Sequence, residues 1–250
     1  MEAYSDFATV YDIFMDETPY GEWCEYIVSL LKKEGIEDGL LLDMGCGTGT
    51  FTELLEKAGY DMIAIDNSMD MLQIAMEKQR ERNKESILYL LQDMREFELY
   101  GTVRAVISVC DSVNYLTDFE DVVTTFKLVN NYLDPKGIFL FDFNTVYKYK
   151  EVIGDTVIAE NREECSFIWE NYYHEDGQIN EYDLTIFAKE GELYRKFTET
   201  HFQKGYTLEQ MKQAIEQAGM EFVAAYDGDT HGAVHHMSER IYIMAREKGK

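Results

Sequence analysis

Residues 40–50 read LLLDMGCGTGT. Three consecutive leucines suit a strand buried on both faces, as in a parallel sheet covered by helices on each side. The glycines at 45, 47 and 49 permit a tight turn and a close approach of backbone to a ligand. Residues 51–57 then read as a helix. A strand, a glycine turn and a helix in that order place unpaired backbone N–H groups at the carboxyl edge of a parallel sheet, where α/β folds bind nucleotides.

Two details set the charge of the ligand. The spacing GxGxG is one residue short of the dinucleotide fingerprint GxGxxG, and Asp43 stands two residues before the first glycine. A carboxylate there repels a pyrophosphate. It attracts S-adenosylmethionine (SAM), which has no phosphate and carries a sulfonium and an ammonium. A second acid, Asp66, closes the apolar run at 62–65, 23 residues after Asp43. An acid at that place can accept both hydroxyls of a ribose. A glycine turn that only packs helix on strand would leave both acids without a role.

The string at 40–50, together with IAIDNSMDML at 63–72, resembles motif I and the following segment of the class I SAM-dependent methyltransferases. The resemblance implies an α/β fold with a Rossmann-like, doubly wound, seven-stranded sheet whose last strand is antiparallel. It implies a cofactor held by Asp43, Gly45, Cys46, Gly47, Gly49, Asp66, Asn67 and Met71, with Asp93 accepting the adenine amino group and the Met94 backbone reaching the ring. The segment YDIFM at 11–15, followed by Tyr20 and Trp23, resembles the N-terminal cap of small-molecule methyltransferases. There a tyrosine corresponding to Tyr11 closes over the methionine end of the cofactor. Tyr20, Trp23 and Tyr26 read equally well as core.

Helical spacing predicts helices over 4–14 and 20–34, separated by Thr18-Pro19. Ser68 caps a helix over 69–82, and residues 87–91 form a third strand. The fourth strand, 103–109, runs into Cys110-Asp111-Ser112-Val113-Asn114-Tyr115. In the fold that the resemblance implies, this strand end lies under the transferable methyl, so Cys110, Asp111, Asn114 and Tyr115 are pocket candidates. Asp and Asn between a strand and a helix also serve simply as turn formers. A helix over 119–133 is stopped by Asp134-Pro135-Lys136-Gly137, and a fifth strand over 138–143 ends at Asp142 and Asn144. Five strands that each finish in a polar cluster place a site at one sheet edge.

From Thr145 the rhythm changes to aromatic and β-branched runs at 156–162, 165–174, 179–189 and 193–203, joined by short polar turns. These predict a four-stranded antiparallel meander inserted after the fifth strand. It needs a surface to cover one face, and the mouth of the cleft is the nearest. The expected organisation is therefore a SAM-binding core over 1–145 and 205–250, with an insertion over 146–204 acting as a substrate lid through Trp169, Tyr172, Tyr182 and Phe197. A capping box, TLEQ at 207–210, opens a helix to about 218, and strands over 221–226 and 240–246 complete the sheet.

Methyl transfer from a sulfonium needs alignment more than a base, and Asp111, Asp142 and His201 are the candidate bases. Strand alternation puts Phe197, Glu199 and His201 on one face. An imidazole, with an ordinary pKa of about 6.5, suits proton transfer near neutrality; a histidine on the lid surface is the plain alternative. His231, His235 and His236 lack a Cys or Glu partner within a helix, so a loop is expected there and no metal.

The net charge of −25, from 48 acids against 23 bases, excludes unaided binding to nucleic acid, which requires clustered Lys and Arg. A cationic or neutral small acceptor fits better. The four cysteines, none in a CxxC pair, point to a reducing cytoplasm, and no stretch is signal-like or of membrane-spanning length. A monomer or homodimer is expected. The arrangement resembles the branch containing glycine/sarcosine and aminosugar N-methyltransferases, though no motif assigns either substrate. A SAM-binding module without catalysis, or an RNA methyltransferase completed by a partner, are the other readings.

Overall fold

In the computed structural model, which describes residues 7–250, the glycine turn sits near the middle of a seven-stranded sheet. β1 (Leu40–Met44), β2 (Asp61–Asp66), β3 (Ile87–Leu91), β4 (Val103–Ser108) and β5 (Leu133–Asn144) pair in parallel, joined by helices except between β3 and β4, where residues 92–102 form a loop. Two further strands, β10 (Glu221–Asp227) and β11 (Arg240–Arg246), extend the sheet beyond β5, giving the order β10-β11-β5-β4-β1-β2-β3. β11, the last strand, is antiparallel to both β5 and β10. Strand order reverses between β1 and β4, and such a switch point opens a crevice at the carboxyl ends.

Helices cover both faces. α2 (Tyr20–Lys33), α3 (Thr50–Lys57) and α4 (Met69–Glu81) lie on one side, α5 (Phe119–Tyr132) and α6 (Leu208–Gln217) on the other. This is why the strands read as unbroken apolar runs. In β5, Ile138 and Leu140 face the first helical layer, while Phe139, Phe141 and Phe143 face the second. The Phe126 ring of α5 meets Phe139 at 5.1 Å and Phe141 at 4.9 Å. Burying each such ring contributes about 1.5–3 kcal/mol.

β5 begins five residues earlier than its sequence predicts. Leu133 pairs with Val103 and Ile138 with Ala105, so residues 134–137 bulge out between them, with Lys136 left-handed at φ 66°. The Asp-Pro-Lys-Gly segment therefore shapes a strand irregularity as well as ending α5. The first helix is α1 (Ala8–Phe14), and the expected start at residue 4 lies outside the described residues.

The chain leaves the large sheet after Asn144 and returns at Tyr206, where Thr145 and Tyr206 form an isolated parallel bridge. Between them β6 (Val157–Asn161), β7 (Cys165–His174), β8 (Ile179–Glu190) and β9 (Leu193–Lys204) make a separate antiparallel sheet in sequence order. Its inner face, including Cys165, Phe167, Leu184 and Ile186, packs on Val10, Phe7 and Phe14 at α1. The edge of one ring meets the other at 4.7 Å between Phe14 and Phe167. Thus α1 is clamped between the two sheets.

Candidate active site

β1 ends at Met44, and the turn that follows is left-handed three times, at Gly45 (φ 79°), Gly47 (φ 54°) and Gly49 (φ 75°). The Gly45 and Cys46 N–H groups donate to the Ile65 carbonyl at 2.9 and 3.0 Å, tying the turn to the end of β2. A Cβ at Gly45 would lie 2.7 Å from Ser112, whereas one at Gly47 would project into open space. The turn is therefore pressed against the end of β4 on one side and open on the other. Gly45→Ala is expected to cost about 1–2 kcal/mol from the left-handed backbone alone, read from urea unfolding. A change under about 0.5 kcal/mol would mean that the turn relaxes freely.

Asp66 crosses this turn. Its Oδ2 accepts the Gly47 N–H at 2.8 Å and its Oδ1 the Ser68 N–H at 2.9 Å, while the Ser68 hydroxyl caps α4 by accepting from Met71. Asp43 is buried, and its Oδ2 accepts the Thr52 hydroxyl at 2.5 Å. Burial, opposed by the Thr52 hydrogen bond and reinforced by nearby Asp66, lifts the Asp43 carboxyl to about 7. Burial likewise raises the Asp66 carboxyl, against three backbone N–H groups that hold it down. Two carboxyls poised in this way favour a cation beside the turn.

One cleft gathers most of the expected residues: Asp43, Gly45, Cys46 and Gly47 from the turn, Asp66, Asn67 and Met71 after β2, Met94 after β3, and Cys110 and Tyr115 after β4. Tyr11 of α1 closes it. Gly49 lies just outside the lining, as the N-cap of α3. Sequence reasoning missed Thr48, Gln92 and Ser112, which also line the cleft, as does Tyr20. Gln92 and Ser112 each adjoin a predicted residue, and strand-end position alone was a signal for them. Tyr20 was legible as part of the segment that resembles the N-terminal cap, and it read equally well as core. Its hydroxyl bonds with Tyr11 and with the Cys110 thiol, and burial pushes all three groups up, so they stay protonated at neutral pH.

α1 is latched over the turn. Asp12 Oδ1 accepts the Thr48 hydroxyl at 2.6 Å, and Asp12 Oδ2 meets Lys78 Nζ of α4 at 2.9 Å. The same ammonium donates to Thr50 at 2.7 Å.

Several expected residues are placed elsewhere. Asp93 is outside the lining, its carboxylate gripped by Arg95 at 2.9 Å through Nε and 2.6 Å through Nη2, which holds it below the usual carboxylate range. Asp142 is fully buried, accepts the Cys110 and Asp111 N–H groups at 3.2 and 2.8 Å, and pairs with Arg240 at 2.6 Å. Asp111 pairs with Arg240 at 2.8 Å through Oδ1 and accepts Gln203 Nε2 at 2.8 Å through Oδ2. Both carboxylates are thus paired with the Arg240 guanidinium rather than open to the cleft, whose lining includes neither. They hold the left-handed residues Cys110 (φ 61°) and Asp111 (φ 54°) in place.

Asn114 and Asn144 brace one another: Asn144 N–H donates to Asn114 Oδ1 at 2.8 Å, and Asn114 Nδ2 donates to the Asn144 carbonyl at 2.9 Å and to the Lys204 carbonyl at 2.6 Å. Neither lines the cleft. On β7, alternation puts Trp169 on the inner face, 4.9 Å from the Tyr182 ring, and Tyr172 on the outer face, exposed. His201 is buried rather than on the lid surface, behind Tyr115 as seen from the cleft. Of the loop histidines, His231 stacks on Tyr26 at 3.6 Å and His235 lies 3.5 Å from Asp227.

The residues of the cleft fit SAM: two acids, an open glycine turn and apolar Ile65, Met71 and Met94 along the wall. The family described as a methyltransferase domain matches residues 41–137. Over 98% of this chain and 97% of the other, the sequence is 36% identical to YqeM of Bacillus subtilis (strain 168), which bears a methyltransferase name. The chain belongs to the SAM-dependent methyltransferase family. A crystal structure of a SAM-dependent methyltransferase from Clostridium acetobutylicum ATCC 824 superposes with a TM-score of 0.88 at 27% identity, covering 99% of this chain and 100% of that one. A partial match, 33% identical over 53% of this chain and 55% of the relative, is to a dTDP-3-amino-3,4,6-trideoxy-α-D-glucopyranose N,N-dimethyltransferase of Streptomyces venezuelae.

Proposed function

We propose that this methyltransferase acts on a small-molecule nucleophile, an amine in preference to a hydroxyl, held between the cleft and the small sheet. The observation that carries the reading is the roof. α1 is latched to the glycine turn through Asp12 and to the small sheet through Phe14 and the Phe7 N–H, which donates to Glu199 at 2.9 Å. A roofed cleft favours a small acceptor over a macromolecule. The net charge of −25 disfavours RNA and favours a cationic amine. The partial relative named for an aminosugar supports nitrogen as the acceptor atom. The free thiols of Cys24, Cys46, Cys110 and Cys165 support a reducing, cytoplasmic setting, and among the described residues no helix is long and apolar enough to cross a membrane.

SAM supplies an activated methyl on a sulfonium. The chain's own residues bind and orient it: the Gly45–Gly49 turn and Asp43 take the cationic amino-acid part, Asp66 and Asn67 the ribose, and Met71 and Met94 the adenine faces. Tyr11, Cys110 and Tyr115 surround the methyl end. Holding nucleophile and carbon in line while α1 and the small sheet exclude water supplies at most about 7–11 kcal/mol of the barrier. Asp66→Ala is expected to weaken S-adenosylhomocysteine binding by about 1.5–3 kcal/mol by calorimetry, the range for a hydrogen bond to a charged group. Equal affinity would remove Asp66 from the ribose.

Incubating the enzyme with SAM and panels of amines, aminosugars and phenols, with mass spectrometry of each, tests the reading. Gain of a methyl on a small amine is expected. SAM binding without transfer to any member of the panels would favour a binding module over this enzyme.

A further inference from the structure

A chain of side chains runs from the cleft wall into the small sheet. Tyr115, in the short helix Ser112–Tyr115, lines the cleft. Its hydroxyl lies 2.7 Å from the Tyr182 hydroxyl and 3.1 Å from Nδ1 of His201. Tyr182 and His201 are paired across β8 and β9 and their rings stack, with centroids 4.8 Å apart and planes within 6°. Nε2 of His201 lies 3.2 Å from Oε2 of Glu199, and the two side chains are 0% and 3% exposed. Oε1 of Glu199 accepts the Phe7 N–H at 2.9 Å.

Burial fixes the proton positions along this chain. Glu199 sits 3.2 Å from Nε2 as an ion-pair contact rather than a linear hydrogen bond, and a buried carboxylate at that distance favours the tautomer with its proton on Nε2. Nδ1 is then the acceptor, and the Tyr115 hydroxyl donates to it. Tyr182 donates in turn to the Tyr115 oxygen. A tyrosine alone is a weak base, but one that hands its own proton to an imidazole as it gains another is not.

Resting on the small-amine reading above, we infer that Tyr115, His201 and Glu199 form a proton relay leading from the acceptor nitrogen into the small sheet. Tyr115 is the catalytic residue, touching the acceptor; His201 and Glu199 are positioning residues acting through it. As the nitrogen's electron pair forms the new N–C bond, the C–S pair departs with sulfur. The N–H proton passes to the Tyr115 oxygen, the Tyr115 proton passes to Nδ1, and the imidazolium sits against the Glu199 carboxylate. The proton then returns to solvent when the product leaves. Of titratable groups, Tyr115 faces His201 from the short helix, Tyr182 from β8 and Glu199 from its own strand; Tyr182 in turn acts electrostatically on Tyr11 of α1 and on Tyr149.

The first test needs no acceptor. In protein carrying 15N-histidine and bound S-adenosylhomocysteine, the His201 signals, assigned by their loss in His201→Asn, are expected to show a protonated Nε2 and an unprotonated Nδ1 above neutral pH. The opposite tautomer would overturn the relay. Absence of S-adenosylhomocysteine binding would instead count against the cofactor site. The second test uses glycine, ethanolamine and glucosamine as probe amines. His201→Asn still offers Tyr115 an acceptor oxygen but cannot take its proton, so kcat is expected to fall about 10²-fold with KM unchanged. Tyr115→Phe should match it. A fall in kcat of under about threefold in His201→Asn, or a loss carried by KM instead, would overturn the relay. If no probe amine gains a methyl although S-adenosylhomocysteine binds, the amine reading fails and the tautomer alone decides the relay.

Discussion

Replacing Arg240 by leucine is expected to lower the unfolding free energy by about 3–5 kcal/mol, the range for removing one partner of a buried ion pair. The guanidinium spans two carboxylates, Asp142 at 2.6 Å and Asp111 at 2.8 Å, and Asp142 is 0% exposed. Without it, the two acids remain under the sheet edge with N–H donors and the longer-range pull of Lys148 to compensate them. Burial already lifts the Asp142 carboxyl above 3.8 while Arg240 pulls it down, so the variant raises it further. An acid whose folded pKa is raised contributes stability that is complete below its unfolded pKa and is lost as pH rises through the folded value. The deficit should therefore widen between acid and neutral pH. Urea unfolding at about pH 5 and pH 8 measures it, and a loss below about 1 kcal/mol at both would contradict the arrangement. Because the same carboxylates hold Cys110 and Asp111 left-handed at the cleft, weaker cofactor binding should accompany the lost stability.

The second large effect belongs to Asp43. Its carboxyl is raised from 3.8 to about 7, mainly by burial, so the folded protein keeps a proton that the unfolded chain releases at lower pH. The cofactor-free protein should lose on the order of 4 kcal/mol as pH rises from about 4 through about 7, relative to a chain without this group. Asp43→Asn should flatten that slope. A cation bound beside the turn stabilises the ionised form, so SAM affinity should rise with pH across the same window, and Asn at 43 should abolish the rise. A pH-independent affinity in the parent enzyme would show that Asp43 is ionised before the cofactor arrives.

What was legible in the sequence was local. The leucine run, the glycine spacing and two acids at strand ends are set by backbone geometry within one βαβ unit, and they led to the fold and to most of the cleft. Two misplacements were also legible in principle. Alternation along β7 separates Tyr172 from Trp169, and Arg95 stands two residues from the Asp93 that it captures. The rest depended on partners far away in the chain. Asp142 and Asp111 resemble strand-end catalytic acids until Arg240, 98 residues beyond Asp142, is seen between them. Asn114 and Asn144 likewise look like pocket amides, yet the Asn114 amide is spent on the Asn144 backbone and the Lys204 carbonyl, and the Asn144 amide on Tyr149 and Lys148. His201 differs because its face was predictable from alternation. That it faces a tyrosine at the cleft wall follows only from how β9 sits against the short helix after β4.

Calorimetry of the purified, metal-stripped enzyme against S-adenosylhomocysteine and, separately, NADH addresses the central claim most directly. The account predicts that S-adenosylhomocysteine binds without any metal, more tightly than NADH, and that Asp66→Ala weakens it. NADH binding more tightly than S-adenosylhomocysteine would contradict the assignment of the glycine turn and its two acids to a cationic, phosphate-free cofactor.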